Sequence, residues 1–375
     1  MRSNKIRVFY NPKQVLQSDI NGNFSKSPLK PKLLLEHLEK AGLGSHLDIV
    51  SKFRPFNAYD FQIAHTIKYI KDFFTGGKLS TSNNLTWSPQ FAESVRYTNA
   101  SLYEAIQNSL VNPSEVSFSP TSGFHHAKPD SGMGFCTFSG QVIASVKAYR
   151  KFGAVGCYLD LDGHFGNSIE NSRDFQPDLN LAVPRGFNFN THTTGEDYYK
   201  ELTYFVLKVL TPAILLGKID YVVWCHGADS HKDDALGNQV NTEQWVRCSK
   251  FFWSWVNEMD KTLGRPLSVS CALFGGYRHD DYNSVLSLHA SDLRECMNCL
   301  LKLNVEYTTQ VKAAPKPSYY GTFIDNTPTY SQSQSLRNRR ERLNEVDQLM
   351  KAQRDRERRN EEEFERYYAN RYRML

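Results

Sequence analysis

Three short stretches, GAVGCYLDLDG (153–163), IDYVVWCHGAD (219–229) and LSVSCALFGGY (267–277), constrain the fold more than anything else in the chain. Each is a β-rich apolar run that ends in glycine and polar residues. A run without polar alternation belongs to a strand buried on both faces, which is the condition of a parallel strand covered by helices. Long helical patterns lie between them. TTGEDYYKELTYFVLKVL (193–210) opens with Thr193 three residues before Glu196, a capping-box spacing, and NTEQWVRCSKFFWSWVNEMDKTLG (241–264) stops at a glycine. Further helices are expected over 31–42, 57–75, 90–110, 139–151 and 291–303. The alternation predicts an α/β fold, a parallel β-sheet flanked by helices on both faces.

The chain has 375 residues, 40% of them apolar, enough for one large α/β core or two ordinary ones. Its net charge of +5 is uneven: from Arg337 to Leu375 there are 12 Lys/Arg against 9 Asp/Glu, so the tail holds +3 and the body +2. A nearly neutral body is no nucleic-acid footprint. The start, MRSNKIRVFYNPKQV, has no apolar region behind its basic residues, and no stretch reaches the roughly 18 apolar residues of a membrane span. A soluble, cytoplasmic or nuclear protein (or a delivered effector) without membrane partners is expected. Seven cysteines, mostly inside apolar runs, read as buried reduced thiols, and the lone Cys296/Cys299 pair as helix packing. The expected organisation is a catalytic domain over 1–314, a linker rich in Pro, Ser, Thr and Gln over 315–335, and a charged helical or disordered tail over 336–375. That tail is the one candidate for weak nucleic-acid contact.

In an open parallel sheet, ligands bind beyond the carboxyl ends of the strands. All three strand ends carry polar residues: Asp160, Asp162 and His164; then His226, Asp229, His231, Asp233 and Asp234; then a glycine pair and Tyr277. Asp162 and His164, at i and i+2, share a direction if the segment stays extended, and Asp229 is the natural third donor. Three protein ligands with open positions are the plan of a catalytic zinc. A metal-held water then needs a base and a departing amine an acid. The pair in SGFHHAKPDSGMGFC (122–136), His125 and His126, meets that need once oriented by acceptors such as Asp160 and Asn167. Tyr277 on its glycine turn would stabilise the oxyanion, and Phe135, beside Gly134, suits the wall of a narrow apolar channel. His226 and His231 are expected to support the site rather than ligate. Singly, a DxH can cap a turn, a His pair can be structural and FGGY can be an ordinary turn. Together at successive strand ends they point to amide hydrolysis.

At these residues the sequence resembles the zinc-dependent histone deacetylase family, with its acetylpolyamine amidohydrolase and acetoin-utilisation relatives. SGFHHAKPDSGMGFCTFSG is similar to the family's Gly-His-His-Ala and Gly-Phe-Cys segment, YLDLDGHFGNS to its Asp-x-Asp-x-His-His motif, GADSHKDDALG to its Gly-x-Asp-x-His-x-x-Asp-Pro-Leu-Gly, and FGGY to its glycine run before a tyrosine. The resemblance implies an arginase-like fold and one zinc on Asp162, His164 and Asp229. It makes His125 and His126 the acid/base pair, backed by Asp160 and Asn167, and gives Tyr277 the substrate carbonyl. Phe135 and Phe187 would wall the acyl-lysine channel with Gly134. A structural K+ near the Asp160–His164 loop is also implied. Phe165 stands in place of the family's second histidine, Gly163 in place of a bulkier residue, Phe274 interrupts the glycine run and Ala235 replaces a proline.

The expected activity is zinc-dependent hydrolysis of N6-acetyl-lysine in proteins, histones and chromatin included, because an extended acyl-lysine suits a narrow aromatic channel. The rival substrates are acetylpolyamines, which would call for an acidic rim. A binuclear ureohydrolase would need further carboxylates, whereas here His231 follows Asp229 by two positions. A catalytically silent binding protein would lack a ligand or the tyrosine, and none is missing.

Overall fold

The computed structural model describes residues 2–16 and 25–315. They hold seven strands: β1 (Ile6–Phe9), β2 (Leu47–Val50), β3 (Val116–Ser119), β4 (Gly156–Asp160), β5 (Asn188–Asn190), β6 (Tyr221–Cys225) and β7 (Ser268–Ala272). All pair in parallel, in the order β2-β1-β3-β7-β6-β4-β5. The three apolar runs read from the sequence are β4, β6 and β7, neighbours at the centre and buried throughout. The four strands that the sequence did not announce are three or four residues long, and β2 and β5 are the sheet's edges.

The period-2 rule shows in the core. Cys157 and Leu159 of β4 and Val222 and Trp224 of β6 join one buried cluster, while Tyr158 of β4 and Tyr221, Val223 and Cys225 of β6 join another on the opposite face. Helices cover both faces, including Lys30–Lys40, Pro89–Val111, Gly140–Phe152, Gly195–Tyr204, Thr242–Leu263 and Tyr282–Glu295. All seven cysteines are free, and Cys299 alone is not fully buried. No helix among the described residues is long and apolar enough to cross a membrane.

Two local readings are corrected. The expected helix over 57–75 is two, Ala58–Phe61 and Ile67–Phe74, because Asn57 and Thr66 each cap a separate start and His65 lies between them. Thr193 and Glu196 form no capping box: Thr193 binds Glu201 through its hydroxyl, and Glu196 pairs with Arg247. The box forms instead at Asn241 and Gln244, at the head of the Thr242–Leu263 helix.

After the last helical turn the chain runs back as a strap along Tyr282–Glu295. Asn298 grips Val305, Tyr307 and Gln310 bind the Ser287 hydroxyl, Thr309 meets Ser291, and Lys312 donates its N–H to Ser284. The Lys312 carbonyl accepts from Arg278, the residue after Tyr277, at 2.7 Å. The described residues through Ala314 form one compact unit. From residue 316 on, the expected linker and tail lie outside the described residues.

Candidate active site

The sheet delivers its chemistry where β4, β6 and β7 end. Asp160 closes β4, and the chain then bends rather than staying extended. Asp162 causes the bend to close: one of its oxygens, Oδ1, accepts the His164 backbone N–H at 3.0 Å and lies 3.1 Å from His164 Nδ1. The i, i+2 pair therefore converges through an Asp-centred turn, not through strand alternation. From the end of β6, Asp229 brings Oδ2 to 2.9 Å from the same Nδ1. Donor atoms of Asp162, His164 and Asp229 lie within 4.8 Å of one another, the one such metal-competent group found among the described residues.

The donor set fits a dication. Both carboxylates are fully buried, and Asp229 Oδ1 has no hydrogen-bond partner. Burial, then the charge of Asp162, pushes the Asp229 carboxyl up to about 8. Hydrogen bonds from the two carboxylates push His164 up to about 11. The cluster is short of positive charge, which an ion among these three atoms supplies. Two carboxylates with one imidazole suit a divalent cation. Close approach here requires glycine: a Cβ on Gly275 would sit 2.1 Å from Asp229 Cγ.

The rings of His125 and His126 lie 4.1 Å apart, tilted at 46°, in neighbouring but unlike surroundings. His125 Nδ1 lies 3.0 Å from Asp160 Oδ2, and its Nε2 lies 3.6 Å from Asp162 Oδ1. Burial works against its charge, yet Asp162 and Asp160 together hold its pKa up at about 9. His126 Nδ1 lies 3.1 Å from Asn167 Oδ1, a neutral acceptor. Burial, then the neighbouring His125, pushes His126 down to about 4. An acceptor at Nδ1 places the neutral ring's proton there and leaves the Nε2 lone pair free to take another. The pair thus comprises one charged and one neutral imidazole, the separation that acid/base work needs.

The loop Leu273–Tyr277 is fixed from four sides. Gly275 N–H donates to Asp162 Oδ2 at 2.8 Å, and its carbonyl accepts from Ala228 N–H at 3.2 Å. The buried Lys30 ammonium donates to the carbonyls of Phe274 and Gly275. Tyr277 N–H donates to Asp234 Oδ2 at 2.7 Å. The tyrosine ring packs 6.1 Å from that of His164 and 5.4 Å from that of Phe135. Burial raises its pKa well above 10, so the hydroxyl keeps its proton and can donate it in a hydrogen bond.

This ensemble agrees with the comparisons. Residues 25–199 match the histone deacetylase domain. Over this stretch the chain is similar to histone deacetylases. It is 31% identical over 174 residues to histone deacetylase 8 of Xenopus tropicalis, covering 40% of this chain and 47% of that protein. It is 32% identical over 99 residues to the chloroplastic histone deacetylase 14 of Arabidopsis thaliana, covering 24% and 22%. The chain thus spans less than half the length of these curated relatives. The fold matches the crystal structure of the HDA15 HD domain with a TM-score of 0.61 at 17% identity, over 80% of this chain and 91% of that one. The arginase-like reading stands. The matched 25–199 contain both histidines of the pair, Asp160, Asp162, His164 and Asn167, whereas Asp229 and Tyr277 come from beyond it.

Beside the Asp162–His164–Asp229 cluster, Phe135 lines the same cavity as Gly134, His125, Asp162 and Tyr277. Gly134 (φ +52°) lies under the second histidine, where a Cβ would be 2.8 Å from His126 Cδ2. Phe187 does not reach the channel. It precedes β5, its carbonyl accepts the Tyr158 N–H at 2.9 Å, and it packs on the main core about 10 Å short of the strand's carboxyl end, three residues away. At that end the exposed rings of Phe165 and His192 stack at 5.3 Å instead. His226 and His231 ligate nothing in the cluster: His226 stacks on Trp245 at 3.6 Å and binds Ser249, and His231 meets Thr242.

Two contributors were missed from sequence, and a third, Asp234, was named at its strand end but given no role. Lys30 sits in SPLKPKLLLEHL among surface lysines, with nothing to mark it as buried. Asp234 looks like one of several loop acids. His65 is fully buried, with Nδ1 at 2.9 Å from the Lys128 carbonyl and Nε2 accepting the Ser139 N–H at 2.8 Å, so it latches both ends of the loop that carries Gly134 and Phe135.

Proposed function

We propose that the chain is a zinc-dependent lysine deacetylase that hydrolyses the amide of N6-acetyl-lysine in proteins such as histones. The observation that carries this reading is the convergence of the Asp162, His164 and Asp229 donor atoms within 4.8 Å, beside a histidine pair backed by Asp160 and Asn167. The catalytic unit in this reading is 1–314.

Asp162, His164 and Asp229 would hold the zinc, whose chemistry is to polarise the amide carbonyl and acidify a water. The Tyr277 hydroxyl donates to the carbonyl oxygen as negative charge develops there. Neutral His126 takes the water's proton at Nε2, and Asn167 holds its other nitrogen so that the lone pair keeps its aim. His125, kept charged by Asp160 and Asp162, supports the oxyanion electrostatically. The proton gained by the pair passes to the lysine nitrogen as the C–N bond breaks, giving acetate and the free amine. Phe135 packs the lysine stem and keeps bulk water away.

The test is turnover of an acetylated histone-tail peptide set against N-acetylputrescine, with and without a zinc chelator, by the wild type and by Tyr277→Phe. Peptide turnover that is lost with chelator and falls by roughly 10²–10³ in kcat for the variant is expected. Turnover of the putrescine alone would move the substrate to polyamines. No turnover of either by zinc-loaded protein would refute the reading.

A further inference from the structure

Phe274 is one of five non-glycine residues with positive φ among the described residues, at +62°. A glycine would hold that conformation without steric cost, so the side chain is carried against a backbone preference. It is also placed with care. The ring is 2% exposed, edge-on to His125 at 5.1 Å, and backed by Phe124 at 6.3 Å. The backbone beneath it cannot drift, since Lys30 binds the Phe274 and Gly275 carbonyls and Asp162 binds the Gly275 N–H.

The ring closes the inner side of the catalytic cavity. That cavity lies between Lys30, His125, Phe135, Asp162, Phe274 and Tyr277, and its free space is only about 10 Å³. Such a volume accommodates about one water or a group of similar size. On the deacetylase reading, which any assignment of an acyl pocket presupposes, the substrate carbonyl is held between Tyr277 and the Asp162/His164/Asp229 donors, with the lysine stem leaving past Phe135. The group on the other side of the carbonyl carbon has this space to enter. A methyl fits with small adjustments, and a longer chain directed toward Phe274 would meet its buried ring, which Phe124 backs.

We propose that Phe274 is a specificity-determining residue that limits the acyl group to acetyl by forming the floor of its pocket. One methylene too many in a fitted apolar pocket lowers kcat/KM by roughly 10- to 200-fold. Butyryl-lysine adds two.

The experiment compares kcat/KM for acetyl- and butyryl-lysine versions of one peptide on wild type, Phe274→Gly and Phe274→Leu. Zinc content and melting temperature report whether each variant is folded. Peptide affinity is measured by fluorescence anisotropy in a Tyr277→Phe background, which separates binding from turnover. The wild type is expected to favour acetyl by at least roughly 10-fold, with the ratio falling at least roughly 10-fold in Phe274→Gly and less in Phe274→Leu. The affinity for the butyryl peptide should rise in step. A wild type that handles both peptides equally overturns the proposal, as do folded, zinc-loaded variants with the wild-type ratio. A merely structural role would lower both rates together. Wild type and variants that turn over no acyl-lysine at all would instead sink the deacetylase reading, and this proposal with it.

Discussion

Acid should weaken the fold through a latch that lies behind the site. His65 is buried between the Lys128 carbonyl, which can only accept, and the Ser139 N–H, which can only donate. The ring is therefore neutral with its proton on Nδ1, and a second proton on Nε2 would face a donor. Burial holds its pKa down at about 3, against an ordinary 6.5. Between these values the unfolded chain binds a proton that the folded one refuses, so stability falls as pH falls, by about 1.4 kcal/mol per unit. Above 6.5 the contribution is constant. From pH 6.5 to 4.5 the loss amounts to roughly 2 kcal/mol, a large share of an ordinary domain's stability. Carboxylates and other buried imidazoles add slopes of their own, which subtraction removes. His65→Phe keeps the ring and its packing but loses both hydrogen bonds, a cost of about 2 kcal/mol at neutral pH. Urea unfolding followed by circular dichroism at four pH values from 7.5 to 4.5 should show wild type and variant converging as the pH drops, with the wild type's advantage of about 2 kcal/mol gone by pH 4.5. Parallel pH profiles would refute the assignment of a neutral latch.

Gly275→Ala should abolish metal binding, because its Cβ would overlap the Asp229 carboxylate at 2.1 Å; a purified variant that still holds one zinc per chain by elemental analysis would contradict this. Lys30→Met should cost about 1–3 kcal/mol in urea unfolding, since it strips the ammonium from the buried Phe274 carbonyl and leaves the Gly275 carbonyl with the Ala228 N–H alone. A loss below about 0.5 kcal/mol would mean that the ammonium does not hold the Tyr277 loop.

The centre of the fold was legible because its strands are buried on both faces and therefore read as apolar runs. The edges were not, because strands of three or four residues such as Asn188–Asn190 carry too few positions for a pattern. The same division runs through the site. His125, His126, Asp160, Asp162, His164, Asn167, Asp229 and Tyr277 lie close together at the carboxyl ends of the inner strands, Asp160 as the last residue of β4 and the others after strand ends. Phe187 failed because a phenylalanine near a glycine says nothing of which end of the strand it occupies. The missed Lys30 and His65 act through backbone atoms distant in sequence, and partners of that kind leave no trace in residue spacing. The Asp162–His164 pair was right for a different reason: a turn, not an extended strand, brings the two together.

The strand order has a consequence for how the molecule is made. β7 is the last strand in sequence yet lies in the middle of the sheet, where it is the one strand joining β2-β1-β3 to β6-β4-β5. While the ribosome is still short of residue 268, the growing chain owns two half-sheets with no hydrogen bonds to connect them, and the Tyr277 loop does not yet exist. Long-range parallel pairing of this kind is slow and leaves strand edges exposed to wrong partners in the interval. The seam along β7 is thus the place where assembly in the cell is most open to interruption, and the catalytic centre is completed by its last move.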